Sequence, residues 1–72
     1  MRFYNLGYTK QEAAYLNLDN VELVEVRLNE DRQEQGVECC YFLVFTMRSG
    51  EKHFSQYMNY PAIKEELNKL NQ

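Results

Sequence analysis

The strongest hydrophobic pattern in the chain is the run VECCYFLVFTM, which begins at Val37 and ends at Met47. Successive side chains of a β-strand point to opposite faces. One face of this run carries only apolar or aromatic residues: Cys39, Tyr41, Leu43, Phe45 and Met47. The other face is polar at both ends and apolar through Cys40, Phe42 and Val44. The pattern predicts a central β-strand, residues 37–47, with apolar side chains on both faces.

A strand is also predicted before this run, at residues 21–28. Its apolar positions change face near Leu23, which indicates a β-bulge. The connection that follows, residues 29–36, is polar, ends in glycine and is typical of an exposed hairpin loop. With Leu28 opposite Val37, apolar residues of the two strands meet on one face and charged residues on the other, which is what a correct antiparallel register requires.

The dipeptide Ser49-Gly50 predicts a tight turn after the central strand; because Ser-Gly is a weaker signal than Asn-Gly, a longer bulged turn is the alternative. If the hairpin closes with Arg48 opposite Glu51, a third strand follows and completes an antiparallel meander. This register predicts two pairs on the inner face, Phe45 with Phe54 and Tyr41 with Met58, and three pairs on the outer face, Thr46 with His53, Val44 with Ser55 and Phe42 with Tyr57.

Helices are predicted at both ends of the chain. Residues 9–12, TKQE, have the spacing of a capping box, and the helix that starts there is expected to end in a turn at residues 17–20. Pro61 suits a first helical turn, and the apolar stripe of Ile63, Leu67 and Leu70 predicts an amphipathic helix. The sequence therefore predicts one α+β domain, residues 1–72, of order α-β-β-β-α, with both helices mainly on one face of a three-stranded sheet.

This element order resembles that of the double-stranded-RNA-binding domain, which has a similar length. That family grips phosphates through a basic cluster at the start of its last helix. Residues 61–66 of this chain, PAIKEE, stand at that place and lack the cluster. The resemblance therefore implies a topology and does not carry over the RNA-binding function.

Composition narrows the classes of partner. Eight basic against eleven acidic residues give a formal net charge of −3, which disfavours nucleic acid, because phosphate binding draws on basic surface. Neither a leader peptide nor an apolar run of about 20 residues is evident, so we expect no membrane association. Cys39 and Cys40 are adjacent and cannot pair within a strand. We expect free thiols and a cytoplasmic location.

No pattern in the sequence indicates catalysis, a metal or a cofactor. His53 is the only histidine, and the adjacent Cys39 and Cys40 lack the spacing of a zinc site. In the predicted register Cys40 is several residues from His53, too far for a nucleophile and its base. Glu65 and Glu66 point about 100° apart on a helix and do not form a carboxylate pair. The sequence predicts a protein without enzymatic activity.

The remaining candidate is the apolar patch on the outer face of the sheet, formed by Cys40, Phe42, Val44 and Tyr57, with His53 beside it. If both helices cover the other face, this patch is exposed and marks an interaction surface; if the helices take opposite faces, it is a second core. The short N-terminal helix favours the first arrangement. We therefore expect a regulatory, adaptor or inhibitor type of protein-binding domain, most simply a homodimer through this face or a sheet edge. The alternative is single-stranded nucleic-acid binding through Phe42 and Tyr57.

Overall fold

The computed structural model describes residues 2–7 and 14–71. Two sheets, two α-helices and one short 3₁₀ helix make up this part of the chain. In chain order the elements are β1 (Phe3–Asn5), β2 (Tyr15–Asn17), a 3₁₀ helix (Leu18–Asn20), β3 (Val21–Leu28), α1 (Glu30–Glu34), β4 (Tyr41–Met47), β5 (Lys52–Phe54) and α2 (Tyr60–Leu70). The predicted capping box at residues 9–12 lies outside the described residues.

Strands β3, β4 and β5 form an antiparallel sheet with β4 in the middle. The predicted α+β class, the three-stranded meander and its central strand are confirmed, as is the β-bulge, which lies between Val21 and Leu23. The N-terminal part differs from the prediction. Strand β2 lies where the end of a helix is predicted, and it pairs with β1 as a separate two-stranded ribbon.

The β3–β4 hairpin pairs Leu28 with Tyr41, four residues beyond the predicted partner Val37 (41 − 37 = 4). The polar connection is not a simple loop, because its first residues form α1. The side chain of Asn29 caps this helix by accepting hydrogen bonds from the backbone N–H groups of Asp31 and Arg32. The helix and its exit take up the chain as far as residue 40. An even shift leaves every side chain on its predicted face.

The β4–β5 hairpin is shifted by one residue, which exchanges the faces of β5. Phe45 lies opposite His53, and Val44 lies opposite Phe54. The turn is the longer, bulged alternative rather than the tight turn, since the Met47 N–H donates to the carbonyl of Glu51 at 2.8 Å and Gly50 takes a positive φ of 94°. A glycine in this conformation is typical of a turn followed by a bulge. His53 is therefore on the core side and Phe54 on the outer side.

The hydrophobic core lies on the face of β4 that carries Leu43 and Phe45, both fully buried. Helix α2 covers this face through Ile63, and the β1–β2 ribbon covers it through Leu16 and through Leu6, which directly follows β1. The side chain of Asn59 caps α2 by accepting from the Ala62 N–H at 3.0 Å. Because α2 and the ribbon share one face, the opposite face of the sheet has neither of them over it.

Candidate interaction surface

The outer face is defined here as the side of the three-stranded sheet opposite the core. The register places on it Leu23, Glu25 and Arg27 of β3, Phe42, Val44 and Thr46 of β4, and Lys52 and Phe54 of β5. Tyr57, just beyond β5, joins it through a ring contact with Phe42. Apolar and aromatic side chains occupy its middle, and charged side chains occupy its margins.

Three aromatic rings form a cluster at the centre of the outer face. The ring of Phe42 lies 5.4 Å from that of Tyr57 in an edge-to-face arrangement and 6.0 Å from that of Phe54 in a tilted one. These separations are within the favourable range for aromatic pairs. Phe54 is 54% exposed, Leu23 50% and Tyr57 42%. The sheet therefore presents an ordered aromatic cluster to solvent.

Residues of the α1 connection hold Tyr57 in place. The Asn29 side-chain amide donates a hydrogen bond to the Tyr57 hydroxyl at 3.0 Å. The Arg32 guanidinium lies 4.2 Å from the centroid of the Tyr57 ring, a cation–π contact, and its Nε donates to the carbonyl of Cys39 at 2.9 Å. The Tyr57 ring is therefore positioned from two sides.

Charges of both signs flank the aromatic cluster. Arg27 and Glu25 form an ion pair at 2.7 Å along β3. Arg27 lies opposite Phe42, and Glu25 lies opposite Val44, so the pair borders the apolar centre. Lys52 adds a second cation at the far edge. The outer face thus combines an apolar centre with a rim of mixed charge, as protein interfaces commonly do.

The structure brings together some of the residues that the sequence predicts for this surface and separates others. Phe42 and Tyr57 meet as predicted. Val44 lies on the outer face but is buried there, and Cys40 is also buried, so neither side chain is exposed for contact. The one-residue shift in β5 places His53 on the core side of the sheet. There its Nε2 lies 3.6 Å from a carboxylate oxygen of Glu51.

The sequence pattern does not predict four residues of this surface. The predicted register places Phe54 and Lys52 on the core side, and only the length of the turn before β5 decides their face. Asn29 and Arg32 belong to a connection that is polar throughout, and nothing in its composition shows which side chain reaches Tyr57. The one available signal is that Asn29 precedes two acidic residues, as the cap of a helix would.

A cleft of about 580 Å³ separates β1 from the end of α2. The Arg2 guanidinium, at its rim, donates to the carbonyl of Leu70 at 2.8 Å, and the Lys69 ammonium lies 3.4 Å from the Glu66 carboxylate. Tyr4 lines the cleft, and burial, together with the nearby Glu66 carboxylate, raises the pKa of its hydroxyl well above the usual value. The cations in this cleft already have protein partners.

The described residues provide few groups for metal or redox chemistry. No set of three or more His, Cys, Asp or Glu side chains converges on one point in this part of the chain. Cys39 is exposed, Cys40 is buried, and both are free thiols. Within the same residues, no helix has the length and apolarity to cross a membrane.

Comparison of this chain with protein-family models, with curated proteins and with solved structures found no match. The element order also departs from the one that resembles the double-stranded-RNA-binding domain, because a paired ribbon lies at the N-terminus of the described chain. The function must therefore be inferred from the surface of the molecule itself.

Proposed function

We propose that this chain is a protein–protein interaction domain without enzymatic activity, and that it associates with a second copy of itself through the outer face. One observation carries this proposal: Phe54 and Tyr57 remain about half exposed beside Phe42, and Leu23 is half exposed further along the same face, while α2 and the ribbon cover the opposite face. Tyrosine and phenylalanine are enriched in protein interfaces. The rings are also pre-positioned, which lowers the entropic cost of binding.

A second copy suits this face because the face is complementary to itself. In a two-fold arrangement the same patch contacts itself, so each cation must find an anion on the same surface. Arg27 and Glu25 provide both signs beside the apolar centre. Association also adds buried area to a chain of 72 residues, whose own core is small for its surface.

Single-stranded nucleic acid suits the outer face less well. Bases stack on open aromatic faces, but one face of Tyr57 is taken by the Arg32 guanidinium, and Phe42 is flanked by two other rings. Glu25 lies among these groups and repels phosphate. The free thiols Cys39 and Cys40 support a reducing compartment, and we propose the cytoplasm.

The variant Phe54→Asp tests the outer face. A charge at this position should be tolerated by the monomer, because the ring is more than half exposed, but it should be disfavoured in an apolar contact. We expect the average mass of the wild type, measured by light scattering or sedimentation, to rise with protein concentration, and that of Phe54→Asp to rise much less.

The matched control is Tyr15→Asp, which places the same charge on an aromatic residue of the ribbon that is 63% exposed. This variant should associate like the wild type. Circular dichroism and thermal unfolding of each variant exclude loss of fold as the cause. A wild type that keeps the mass of one chain at every concentration, or equal behaviour of the two variants, contradicts the proposal.

A further inference from the structure

Strand β3 is an edge strand, and its free side is well defined. The Asn29 N–H donates to the carbonyl of Cys40 at 2.9 Å, so this pair is hydrogen-bonded. Bonded and non-bonded positions alternate along an antiparallel ladder. Arg27 and Glu25 therefore turn their backbone groups toward β4, whereas Leu28, Val26 and Val24 turn theirs away from it.

The outward-facing groups of β3 are available for another strand. Within residues 2–7 and 14–71, no strand pairs with β3 other than β4. The side chains of Val26 and Leu28 are also exposed, 41% and 36%, although they lie on the apolar side of the sheet. An exposed edge that carries exposed apolar side chains is a template for pairing with another chain.

We infer that β3 pairs antiparallel with β3 of a second copy, with Val26 opposite the partner's Val26. The outward-facing backbone groups permit only registers in which an even-numbered residue meets an even-numbered one. In this register Val24 lies opposite the partner's Leu28, so apolar residues meet on the core side. Glu25 lies opposite the partner's Arg27, so opposite charges meet on the outer side, and by symmetry this occurs twice.

The neighbouring registers are disfavoured by charge. If the partner strand slips to the next permitted register in one direction, Glu25 lies opposite the partner's Glu25. If it slips in the other direction, Arg27 lies opposite the partner's Arg27. Like charges that face each other directly across two strands are destabilising. The sequence of β3 therefore selects one alignment of the two copies.

The geometry of β3 agrees with this alignment. The bulge between Val21 and Leu23 interrupts the strand, so the regular pairing surface is residues 24–28. Residues that pair directly share a face of the sheet, so the two-fold axis at Val26 is perpendicular to it and both outer faces point the same way. The strand edge is a different surface from the outer face, and this association goes beyond the proposed function.

The test is a charge exchange in the Phe54→Asp background, which weakens the outer-face contact. Adding Glu25→Arg places arginine opposite the partner's Arg27, and adding Arg27→Glu places glutamate opposite the partner's Glu25. Each change should weaken dimerisation about tenfold or more, since two pairs turn from attractive to repulsive. An equimolar mixture of the two variants should dimerise again, because every charge in the mixed pair then meets its opposite.

Glu22→Arg in the same background is the matched control. It changes a charge on the same strand but within the bulge, outside residues 24–28, and should leave dimerisation unchanged. Recovery on mixing cannot arise from altered folding of either variant alone. Because Glu25 and Arg27 also border the outer face, slowed hydrogen exchange at the N–H groups of Val24, Val26 and Leu28 in the mixture assigns the recovered contact to the strand edge.

Other outcomes separate the two surfaces. Phe54→Asp protein that keeps the mass of one chain at high concentration, or a mixture that does not recover, overturns the edge inference and leaves the outer-face proposal standing. Phe54→Asp protein that associates as strongly as the wild type overturns the outer-face proposal, and loss and recovery in the charge variants then still support the edge.

Discussion

Tyr4 links the N-terminal ribbon to the core and to α2. Its ring lies 5.1 Å from that of Phe45, and its hydroxyl faces the Glu66 carboxylate. Burial raises the pKa of this hydroxyl well above that of an exposed tyrosine, and the negative charge of Glu66 raises it further by a smaller amount. The folded chain therefore keeps Tyr4 protonated under conditions in which the unfolded chain releases the proton.

This difference predicts a loss of stability at alkaline pH. The stability that Tyr4 contributes through its raised pKa is fully present below the pKa of tyrosine in the unfolded chain, about 10. It is lost as the pH rises from there toward the higher folded pKa, because the unfolded state then gains by ionising while the folded state does not. In urea titrations across this range, Tyr4→Phe should lose less stability than the wild type.

Tyr15→Phe is the control for this measurement, because it removes a hydroxyl from an exposed ring of the same ribbon. Its free energy of unfolding should fall with pH as steeply as that of the wild type. Equal slopes for Tyr4→Phe and the wild type would show that Tyr4 ionises no less readily in the folded chain than in the unfolded one.

Single residues of the outer face were predictable when their neighbours were set by strand periodicity. Phe42 and Tyr57 meet because both lie on the outer side in the predicted register and in the observed one. Arg32 was not predictable, because its contact with Tyr57 depends on how a polar connection folds back over the sheet. A local pattern of polarity contains no information about that path.

At the level of elements, the pairing with β4 changes register by one residue just after β5. Val44 and Phe54 pair one residue out of step with the predicted alignment, yet Tyr41 and Met58 form the predicted bridge. Ser55 lies between these two regions. Its N–H donates to the carbonyl of Leu43 at 2.9 Å, and its hydroxyl oxygen accepts from the Leu43 N–H at 2.8 Å. The serine side chain thus replaces a backbone acceptor where the ladder is interrupted.

Ser55→Ala should therefore destabilise the fold by about 1–2 kcal/mol, because it leaves a partly buried N–H of the central strand without its acceptor. Urea unfolding measures the change. Ser49→Ala is the control, since the Ser49 hydroxyl accepts only a long 3.5 Å bond from the exposed N–H of Glu51. Its cost should be about 0.5 kcal/mol or less. Equal costs at the two serines would contradict this role for Ser55.

The elements that were predicted correctly are those with a long periodic pattern. The bulge in β3 followed from a change of face within eight residues, and α2 followed from its apolar stripe and Pro61. The β1–β2 ribbon was missed because each of its strands has three residues, too few to show a period of two. Its pairing is also non-local, since Phe3 lies opposite Asn17, and a pattern read along the chain does not reveal such a partner.

At the scale of the whole molecule, the two proposed contacts are compatible with one closed assembly. The outer faces of an edge-paired dimer point to the same side of a continuous sheet. Two such dimers can then stack with their outer faces in contact. The two-fold axes that relate them lie parallel to the plane of the sheet. Perpendicular two-fold axes generate a finite assembly rather than a fibre. The edge of β3 would be covered in this assembly, which removes the aggregation risk of a bare strand.

Hydrogen exchange tests this arrangement in the wild-type chain. The N–H groups of Val24, Val26 and Leu28 face away from β4, so in a single chain they exchange with solvent readily. Pairing with a second copy gives each of them an acceptor, and their protection should rise with protein concentration. The N–H groups of Glu25 and Arg27 bond to β4 within the chain and should show protection that is independent of concentration up to the limit set by global unfolding.

This alternation within one strand separates edge pairing from any other association. Stacking through the outer face leaves the backbone groups of the β3 edge in water. It would not slow hydrogen exchange at every second amide of the strand. In Arg27→Glu the concentration dependence should vanish at Val24 and Val26, because the repulsive charge pairs prevent the strand contact. Fast exchange at Val24, Val26 and Leu28 that does not change with protein concentration would show that this edge stays unpaired, whatever the oligomeric state of the chain.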